Sequence, residues 1–390
     1  MIIPKLAIRN LIGAGVRTWL NVAVLSIAFF AIVFMQGLYI GMGEQATDAL
    51  VDTYYGGGQF WQENYDPYDP FSLEDSHAKI PAELQHIIDA DQAAPILMVQ
   101  ATAFPSGRIL PAALQGIKPE QTVISIPSQV LETESDAIPA LIGTRMAKSA
   151  RLEIGDFLTV RWRDAHGAYD AADVQIVHIM KTTVSIIDAN KIWIPIKKLQ
   201  EISAMPDEAT IVVTARNYQQ TVQPEGWSFK DHDYLLADVK ALVKQKSIGS
   251  SIMYILLMFL GALAIFDTQV LSIFRRQKEI GTLIALGMTR PKVIQLFTLE
   301  GALHGLLAAI VGFIWGSPLL YLMAKNGWPM PDSYDDFGMA LGEAIYPMYT
   351  TGLILGTTIL VLITVTIVSY LPTRRIAKLK PTDALRGKRA

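Results

Sequence analysis

The stretch FRRQKEIGTLIALGMTRPKVIQLFTLEG, residues 274–301, lies between two long apolar segments of the chain. Its helix-forming run is followed by Gly287, the residue type that most readily ends a helix in a left-handed conformation. We therefore predict a short helix from about Gln277 to Leu286. Thr289 then stands at the start of the next helix as its N-cap, and Pro291 fits the first helical turn. The stretch thus predicts a helix–turn–helix joint between two apolar helices.

Four apolar runs account for the composition of the chain. Of its 390 residues, 51% are hydrophobic and 18% are charged, and the mean hydropathy is +0.31. A typical soluble domain has about 25% charged residues. The apolar excess is concentrated in residues 19–40, 248–274, 297–324 and 348–371. Each run provides the roughly 20 residues that a helix needs to cross a bilayer, so we predict four transmembrane α-helices.

Basic residues are concentrated in three segments outside these runs. Residues 1–18, 275–296 and 372–390 together carry 15 Lys or Arg and only two acids. The segment between the third and fourth runs instead carries four acids, namely Asp332, Asp335, Asp336 and Glu343. Because Lys and Arg mark the cytoplasmic side of membrane proteins, both termini and residues 275–296 are predicted to be cytoplasmic.

Residues 44–247 are then predicted to form one large extracytoplasmic insertion between the first and second transmembrane helices. This segment has 17 Lys or Arg and 28 Asp or Glu, which favours a solvated domain and gives no support for nucleic-acid binding. An α+β fold is indicated by strand-like and helix-like runs. The predicted strands begin at Pro95, Asp156, Asp173, Lys191 and Glu208, and the predicted helices begin at Pro81, Pro139 and Tyr234. The last helix is expected to continue into the second transmembrane run.

The segment from Tyr54 to Ser76 is rich in Gly, Asp, Tyr and Pro. Its acids Asp66, Asp69, Glu74 and Asp75 raise the alternative of a calcium site, but no EF-hand spacing is present. Two Asp-Pro turns on a solvated loop are the favoured interpretation.

Three ionisable residues fall within the apolar runs: Asp267, Glu300 and His304. Such residues are candidates for transport roles. Glu300 and His304 are four residues apart on one helix face, close to the predicted cytoplasmic boundary, where the cost of desolvation is small. Asp267 lies about two turns before Arg275, and for it we expect an ion pair or a helix-packing hydrogen bond near the membrane interface. Structural roles are favoured for all three, and a transport role stays the alternative.

Glycines recur at four-residue spacing within the apolar runs. In the third run Gly301, Gly305, Gly312 and Gly316 fall on one helix stripe, Gly352 and Gly356 repeat the spacing in the fourth run, and Gly37 and Gly41 repeat it in the first. Small residues at this spacing let helices approach closely in a membrane, so we predict helix packing at these positions. A substrate groove is the weaker alternative.

No signature of catalysis or nucleotide binding occurs in the chain. There is no G-x-x-x-x-G-K-[ST], H-E-x-x-H or G-x-S-x-G, the six histidines show no ligand spacing, and there are no cysteines. We therefore expect no enzymatic activity, no cofactor and no metal in this chain.

At its joint and at its ends the sequence resembles the FtsX-like ABC transporter permeases. Their hallmark is R-x-x-E-I-G-x-x-x-A-L-G followed by a glycine-rich span that opens with Glu. The matching residues are Arg276, Glu279, Ile280, Gly281, Ala285, Leu286, Gly287 and Glu300. YLPTRRIAKLKPTDALRG, from Tyr370, is similar to the family's C-terminal ending, and AIRNLIGAGVRTWLNV, from Ala7, is similar to its amphipathic N-terminal helix.

The resemblance implies a type VII ABC transmembrane subunit in the bacterial inner membrane. It implies two permease copies, identical or paralogous, and a cytoplasmic ATPase dimer that binds ATP and Mg²⁺. The family transmits ATP-driven motion across the membrane to its outer domain (mechanotransmission). The joint is then the ATPase-coupling segment, with Arg275, Arg276, Glu279, Ile280, Gly281, Ala285, Leu286, Gly287, Thr289 and Arg290 as candidate contacts.

Within the family, the length and the absence of a fused ATPase resemble the lipoprotein-releasing permeases LolC and LolE. LQGIKPEQ, from Leu114, and ALIGTRMAKSARLEIGDFLTVRW, from Ala140, are similar to their outer domain, and the second is shared with MacB-type exporters. The favoured prediction for the function is therefore lipoprotein release or export of a hydrophobic cargo. Peptide or drug efflux with a periplasmic adaptor, or a signalling scaffold that activates cell-wall hydrolases, stays the alternative.

The complete expected organisation runs in nine segments. They are a cytoplasmic amphipathic helix (1–18), transmembrane helix 1 (19–43), the extracytoplasmic α+β domain (44–247), transmembrane helix 2 (248–274), the coupling loop or helix (275–296), transmembrane helix 3 (297–325), a short extracytoplasmic loop (326–346), transmembrane helix 4 (347–371) and a basic cytoplasmic tail (372–390).

Overall fold

A computed structural model of the chain describes residues 2–13, 15–133, 137–182, 184–329 and 344–376. These residues form two compact units. The helical unit comprises residues 2–42, 242–329 and 344–376, and the β unit comprises residues 43–241. Most of the predicted 326–346 loop and residues 377–390 of the predicted basic tail lie outside the described residues.

The described residues form eleven α-helices. Their bounds are α1 Ile2–Gly13, α2 Val16–Leu50, α3 Ala82–Asp89, α4 Thr144–Ala150, α5 Ser185–Asp188, α6 Ile196–Ile202, α7 His232–Leu235, α8 Ala237–Arg275, α9 Gln277–Ala285, α10 Arg290–Asn326 and α11 Thr351–Ile376. Within the described ranges, four segments are long and apolar enough to cross a membrane: Thr18–Tyr55, Ser251–Arg275, Arg290–Asn326 and Thr351–Arg374. They correspond to the four predicted transmembrane runs.

The N-terminal helix is shorter than the expected 1–18. It ends at Gly13, and α2 begins at Val16, because Gly15 has a positive φ of 58° that interrupts the helical backbone. The Thr18 side chain donates a hydrogen bond of 2.8 Å to the Leu11 carbonyl, which links the two helices across this break.

The described residues form thirteen strands. Their bounds are β1 Gln59–Gln62, β2 Ala78–Lys79, β3 Ala93–Ala103, β4 Leu110–Ile117, β5 Ile138–Gly143, β6 Phe157–Arg163, β7 Tyr169–Met180, β8 Lys191–Pro195, β9 Glu208–Ala209, β10 Ile211–Thr214, β11 Trp227–Lys230, β12 Trp328–Pro329 and β13 Ala344–Ile345. Strands β1 to β11 and helices α3 to α7 lie in the β unit, where they give the α+β composition that the sequence predicts.

Six strands of the β unit close into a barrel. Their order is β3-β4-β8-β5-β7-β6, and β6 pairs back onto β3 through Ala101–Trp162, Thr102–Arg161 and Ala103–Val160. Side chains alternate between the two faces of a strand, so every second residue of β3 points into the barrel. Leu97, Val99, Ala101 and Ala103 accordingly belong to one buried cluster.

The first half of β3 leaves the barrel and continues into a sheet extension. There β3 pairs with β10, β10 with β1, and β1 with the edge strand β11. Ile96 and Met98, on the opposite face of β3 from the barrel residues, pack in a second buried cluster that includes Trp61 and Trp193. Trp193 donates its indole N–H to the Ile187 carbonyl at 3.0 Å. The long strand β3 therefore serves two cores at once.

All five predicted strands are confirmed, with EATIVVTA divided into β9 and β10. The prediction of one helix from Pro139 is wrong in its first half, because residues 138–143 form the buried strand β5 and only Thr144–Ala150 is helical. Strands β1, β4, β5 and β11 are not predicted, since their short runs contain Gly, Gln, Pro or Lys that weaken the strand signal. The helix predicted from Tyr234 does continue into α8, with a break at Leu236.

The segment from Tyr54 to Ser76 contains more than the predicted turns. Its residues 59–62 form β1, within the nine-stranded sheet. Asp69 caps the short helix Pro70–Glu74 by accepting a hydrogen bond of 3.0 Å from the Phe71 backbone, as the turn interpretation expects. Among the described residues, no group of three or more His, Cys, Asp and Glu could hold a metal ion.

Candidate functional site

The predicted joint folds as two helices connected by a tight turn. Helix α9 ends at Ala285, one residue before the expected end, and Gly287 has a φ of +94°. The Gly287 amide donates to the Ile284 carbonyl at 3.1 Å, and the Met288 amide donates to the Leu283 carbonyl at 2.9 Å. These two bonds are the Schellman arrangement, which satisfies the last carbonyls of a helix and needs a residue that tolerates positive φ.

The start of α10 differs in one respect from the prediction. Thr289 is the N-cap residue, with extended backbone angles, and Pro291 lies in the first turn. However, the Thr289 side chain makes no capping hydrogen bond. The Thr289 carbonyl accepts the first helical bonds, from Lys292 at 3.0 Å and Val293 at 3.2 Å. Proline at N2 removes one of the amides that the hydroxyl would otherwise bind.

Arg276 joins α9 to α10 through three contacts. Its Nη1 donates to both Glu300 carboxylate oxygens, at 3.1 and 3.3 Å, and its Nε donates to Glu279 at 2.8 Å. Its guanidinium also lies 4.9 Å from the centre of the Phe297 ring, in a cation–π geometry. Burial lowers the pKa of Arg276, but the bonds and charges of Glu279 and Glu300 raise it more, so the side chain stays cationic.

Glu300 is buried, with 4% of its surface exposed. Besides Arg276, its carboxylate accepts a hydrogen bond of 3.4 Å from Asn10 of α1. His304, one turn further along α10, is also buried, and its Nδ1 lies 2.8 Å from the Glu300 backbone carbonyl. The buried carboxylate thereby connects three elements of the helical unit, α1, α9 and α10.

The candidate coupling residues divide between the two faces of α9 and its turn. Ile280 and Gly281 are buried, and Ile280 packs in a cluster with Ile273, Val293 and Phe297. The exposed residues of the candidate set are Arg275, Glu279, Ala285, Leu286, Gly287, Thr289 and Arg290. Leu286 is 80% exposed and so offers an apolar side chain at the end of α9. One face therefore anchors the segment, and the other is free for contact.

The glycine stripe of α10 serves two neighbouring helices. An added Cβ at Gly301 would overlap Ser369 of α11, and one at Gly305 would lie 3.3 Å from Val365. At Gly312 it would lie 3.1 Å from Phe29 of α2, and at Gly316 it would lie 2.9 Å from Phe30. All four glycines are buried, and the first pair admits α11 while the second pair admits α2.

Within the described residues, Gly352 and Gly356 of α11 do not pack against another helix as predicted. Both are exposed, and an added Cβ would meet no atom of the described residues within 4 Å. Helix α11 turns the opposite face, with Val361 and Val365, toward the described helices. By contrast, an added Cβ at Gly37 would overlap the Tyr349 ring, and one at Gly41 would overlap the Tyr346 carbonyl. The four-residue spacing alone therefore does not say which face of a helix is buried.

The expected ion pair of Asp267 is absent. Its side chain is exposed and makes no hydrogen bond or ion pair with the rest of the described chain. The buried polar residue of this region is instead Gln269, two positions later and so on another face of α8. Gln269, Ser369 and Asn10 were missed by the sequence reasoning. A search for all polar residues inside apolar runs, rather than for ionisable ones, would have found Gln269 and Ser369, whereas Asn10 precedes the first run.

Among the described carboxylates of the β unit that form ion pairs, Asp188 has the smallest exposed fraction. It is fully buried, bonds Arg145 Nη1 at 3.0 Å, and accepts the Arg145 and Met146 amides at 2.9 and 3.4 Å at the start of α4. Burial raises the pKa of Asp188, although these hydrogen bonds act to lower it. Gly143 lies so close that an added Cβ would overlap the carboxylate. These contacts fix α4 against the barrel.

Residues 251–381 match the FtsX-like permease C-terminal family. An uncharacterized ABC transporter permease of Methanocaldococcus jannaschii is 29% identical over 171 residues, covering 41% of this chain and 39% of the relative. The macrolide export ATP-binding/permease protein MacB of Wolinella succinogenes is 26% identical, covering 39% of this chain and 22% of MacB. The lipoprotein-releasing system transmembrane protein LolC of Xylella fastidiosa is 25% identical, covering 38% of this chain and 37% of LolC.

The chain thus spans less than half the length of these curated relatives. Among solved structures, the extracellular domain of the ABC-type transporter YknZ from Gram-positive bacteria matches 47% of this chain and 94% of its own, at 13% identity and a TM-score of 0.27. The matched family region begins within α8 and contains the joint, the glycine stripe and α11. With four candidate membrane-spanning helices among the described residues, the chain is a multi-pass membrane protein that is similar to ABC transporter permeases such as MacB and LolC, and its residues 251–381 match the FtsX-like permease C-terminal family.

Proposed function

We propose that this permease is the transmembrane subunit of an inner-membrane ABC transporter, in which a separate cytoplasmic ATPase drives movements of the outer domain. The observation that carries the proposal is the two-sided character of α9. Its inner face is fixed to α10 by Arg276 and Ile280, and its outer face presents Glu279 and Leu286. A partner that pushes on the outer face would therefore move α10 as well.

The distribution of charge supports a cytoplasmic location for α9. Residues 275–296 and 1–18 are basic, and they come together in the helical unit, where Asn10 of α1 bonds Glu300 beside Arg276. By the positive-inside rule this end of the bundle is cytoplasmic, and both chain termini lie on the same side. Residues 44–247 are then extracytoplasmic, in agreement with their excess of acidic residues.

The chemistry of the exposed face suggests how the ATPase would bind. An exposed carboxylate, Glu279, and an exposed leucine, Leu286, lie on one short rigid helix with its end fixed by the Schellman turn. A complementary surface needs a cation near an apolar pocket. ATP and Mg²⁺ belong to that partner. A transporter of this kind also needs a second permease copy, identical or paralogous.

For the cargo we propose a lipoprotein or another hydrophobic molecule that is extracted from the outer leaflet. The support is the similarity to LolC, whose name assigns it to lipoprotein release. The similarity to MacB, whose name assigns it to macrolide export, supports efflux of a small hydrophobic molecule as a second candidate. Mass spectrometry of molecules that co-purify with the complete transporter separates the two, since acylated protein and free small molecules differ in mass and solubility.

The coupling proposal is tested by reversing the charge on the exposed face. Glu279→Arg should insert and fold as the wild type does, because its bond to Arg276 is a surface pair worth roughly 0.5 kcal/mol, but it should abolish stimulation of the co-purified ATPase. The matched control is Lys325→Glu, another exposed charge reversal, in the last turn of α10. Normal stimulation by Glu279→Arg, or failure of any ATPase to co-purify with the wild type, would refute the proposal.

A further inference from the structure

The β unit contains a cleft of about 650 Å³ between the β6–β7 hairpin and the segment of residues 66–75. One wall carries Arg161 and Arg163 of the hairpin, and the other carries Phe71 and Glu74. This volume falls within the range of about 300–1,000 Å³ that is typical of ligand pockets. The cleft therefore has room for a ligand that contacts both walls.

The two arginines of the cleft are placed to bind an anion. They lie two positions apart on β6, and so on the same face of the strand. Arg161 makes no ion pair within the described residues. Its guanidinium lies 5.5 Å from the centre of the Phe104 ring and 5.4 Å from that of the Tyr169 ring. Rings at this distance restrict the guanidinium without occupying its N–H groups, which can still bind a carboxylate in a bidentate manner.

Arg163 binds a carboxylate of the chain itself. Glu74 accepts a hydrogen bond of 2.9 Å from Arg163 Nη1. The two side chains are 46% and 47% exposed, so water and other carboxylates compete for this pair, and surface pairs of this kind contribute little to stability. Glu74 therefore shows which chemical group Arg163 accepts, and its bond is weak enough for a ligand to replace it.

Glu74 belongs to a compact segment, residues 66–75, which we call the lid. The Ser72 hydroxyl donates to the Asp66 and Asp69 carbonyls at 3.0 and 2.7 Å. The Asp69 carboxylate accepts the Phe71 amide at 3.0 Å. Because these bonds lie within the lid, the lid can move without losing them.

The lid is fixed at its ends and is held in the middle by exposed contacts. Before it, Tyr65 packs against the second buried cluster, and after it Ser76 is fully buried. Within the lid, the hydroxyl of Tyr68, which is 74% exposed, donates to Asp238 in the first turn of α8, and Leu73 contributes a partly buried side chain. Segments with few buried contacts open at a low cost in free energy. The lid can therefore open about its two ends while the barrel stays folded.

Opening of the lid would make the cleft more positive. The lid would carry Glu74 and Asp75 away from the two arginines. The remaining acid among the lining residues is Asp164, whose carboxylate accepts two amides of its own hairpin turn at 2.9 and 2.8 Å. The open cleft therefore favours a ligand with a negative charge.

The floor of the cleft includes an edge of β3 that favours a peptide as the ligand. On the side away from β4, β3 pairs with β10 up to Ile96 and with β6 from Ala101 onward. Within the described chain, residues 97–100 pair with no strand on this side, and the last two of them line the cleft. The Thr210 hydroxyl accepts the Met98 amide at 3.0 Å. Extended peptides bind such strand edges through main-chain hydrogen bonds, which an isolated small carboxylate cannot form.

We propose that this cleft binds an extended peptide segment that carries a carboxylate, and that the lid keeps Glu74 on Arg163 until the carboxylate of the ligand replaces it. The carboxylate belongs to an acidic side chain or to a C-terminus, which share the same chemistry. Phe71 and Tyr169, which are 77% and 73% exposed, offer apolar contact to a neighbouring side chain of the peptide. This inference concerns the β unit alone and does not depend on the proposed ATPase coupling.

The test uses the full chain in nanodiscs and three tripeptides with coumarin at the N-terminus. Ala-Phe-Glu with an amidated C-terminus has a side-chain carboxylate, Ala-Phe-Ala with a free C-terminus has a terminal carboxylate, and Ala-Phe-Gln with an amidated C-terminus has neither. By fluorescence anisotropy, we expect one or both carboxylate peptides to bind about tenfold more tightly than Ala-Phe-Gln, as a charge-assisted hydrogen bond predicts. The tighter of the two identifies the source of the carboxylate.

Three variants and a control examine the residues. Arg161→Gln and Arg163→Gln should each weaken binding of the carboxylate peptide about three- to tenfold. Glu74→Gln should instead tighten it about two- to fivefold, because the ligand no longer competes with a carboxylate of the lid. The matched control is Glu201→Gln, which removes an exposed carboxylate from an ion pair with Lys198 outside the cleft, and it should bind as the wild type does.

Movement of the lid is measured by the distance between two spin labels. The chain has no cysteine, so labels attach only to the exposed positions of Pro67→Cys in the lid and Asp170→Cys in β7. We expect the carboxylate peptide to add a population at longer distance, and Glu74→Gln to add part of it without peptide. Three results would each overturn the proposal: equal binding of all three peptides, binding by Glu74→Gln no tighter than by the wild type, or a distance distribution that the bound peptide leaves unchanged.

Discussion

Replacing Arg276 by Gln removes the main partner of a buried carboxylate. Glu300 is 4% exposed, and without Arg276 its remaining bond within the described chain is the 3.4 Å contact from Asn10. Breaking a buried ion pair from one side costs about 3–5 kcal/mol, because a charge is left without compensation. The bond from Arg276 to Glu279 contributes little, since Glu279 is exposed and surface pairs of this spacing are worth roughly 0.5 kcal/mol.

The expected effect is local opening of α9, measured by hydrogen exchange of the amides of residues 277–287 in the full chain in nanodiscs. A loss of about 3 kcal/mol corresponds to more than a 100-fold faster exchange, whereas Glu279→Gln should change it by about twofold or less. The double variant Arg276→Gln/Glu300→Gln should recover much of the protection, because no charge remains buried. Equal exchange in Arg276→Gln and Glu279→Gln would refute the view that the buried pair anchors α9.

Three further outcomes are expected. Gly301→Ala should destabilise the helical unit by about 1–3 kcal/mol through overlap with Ser369, while Gly356→Ala, in open space, should stabilise it by up to about 1 kcal/mol, as thermal unfolding of the two variants can show. Burial lowers the pKa of Lys191 to about 8. Between about pH 8 and pH 10 the unfolded chain therefore holds a proton on Lys191 that the folded chain has lost. Because the unfolded state binds more protons in this range, the free energy of unfolding should rise with pH. Lys191→Met should remove this rise and be more stable than the wild type at pH 7, as unfolding followed by tryptophan fluorescence would show. Asp188→Ala should cost about 3–5 kcal/mol by the same measurement, since it leaves the α4 amides and Arg145 without their buried acceptor.

The predictability of the candidate site differs from residue to residue. Gly287 is evident from sequence because a left-handed helix end depends on the residue itself and its nearest neighbours. The pair between Arg276 and Glu300 spans 24 positions and depends on how α9 folds back on α10, so periodicity in either helix could not reveal it. Asp267 and Gln269 show the same limit: both are polar residues in one apolar run, and only packing decides that Gln269 is buried and Asp267 is not.

By itself the sequence determined the four membrane-spanning helices, the helix–turn–helix joint and the α+β character of the insertion. These properties follow from composition, local conformational preference and short-range spacing, which act within a few turns of one helix or one strand. Only the tertiary structure decided that six strands close into a barrel, that Gly301 packs against α11 while Gly356 is exposed, and that Arg276 meets the buried Glu300. These properties depend on which faces of distant elements meet, and identical local patterns are compatible with either face being buried.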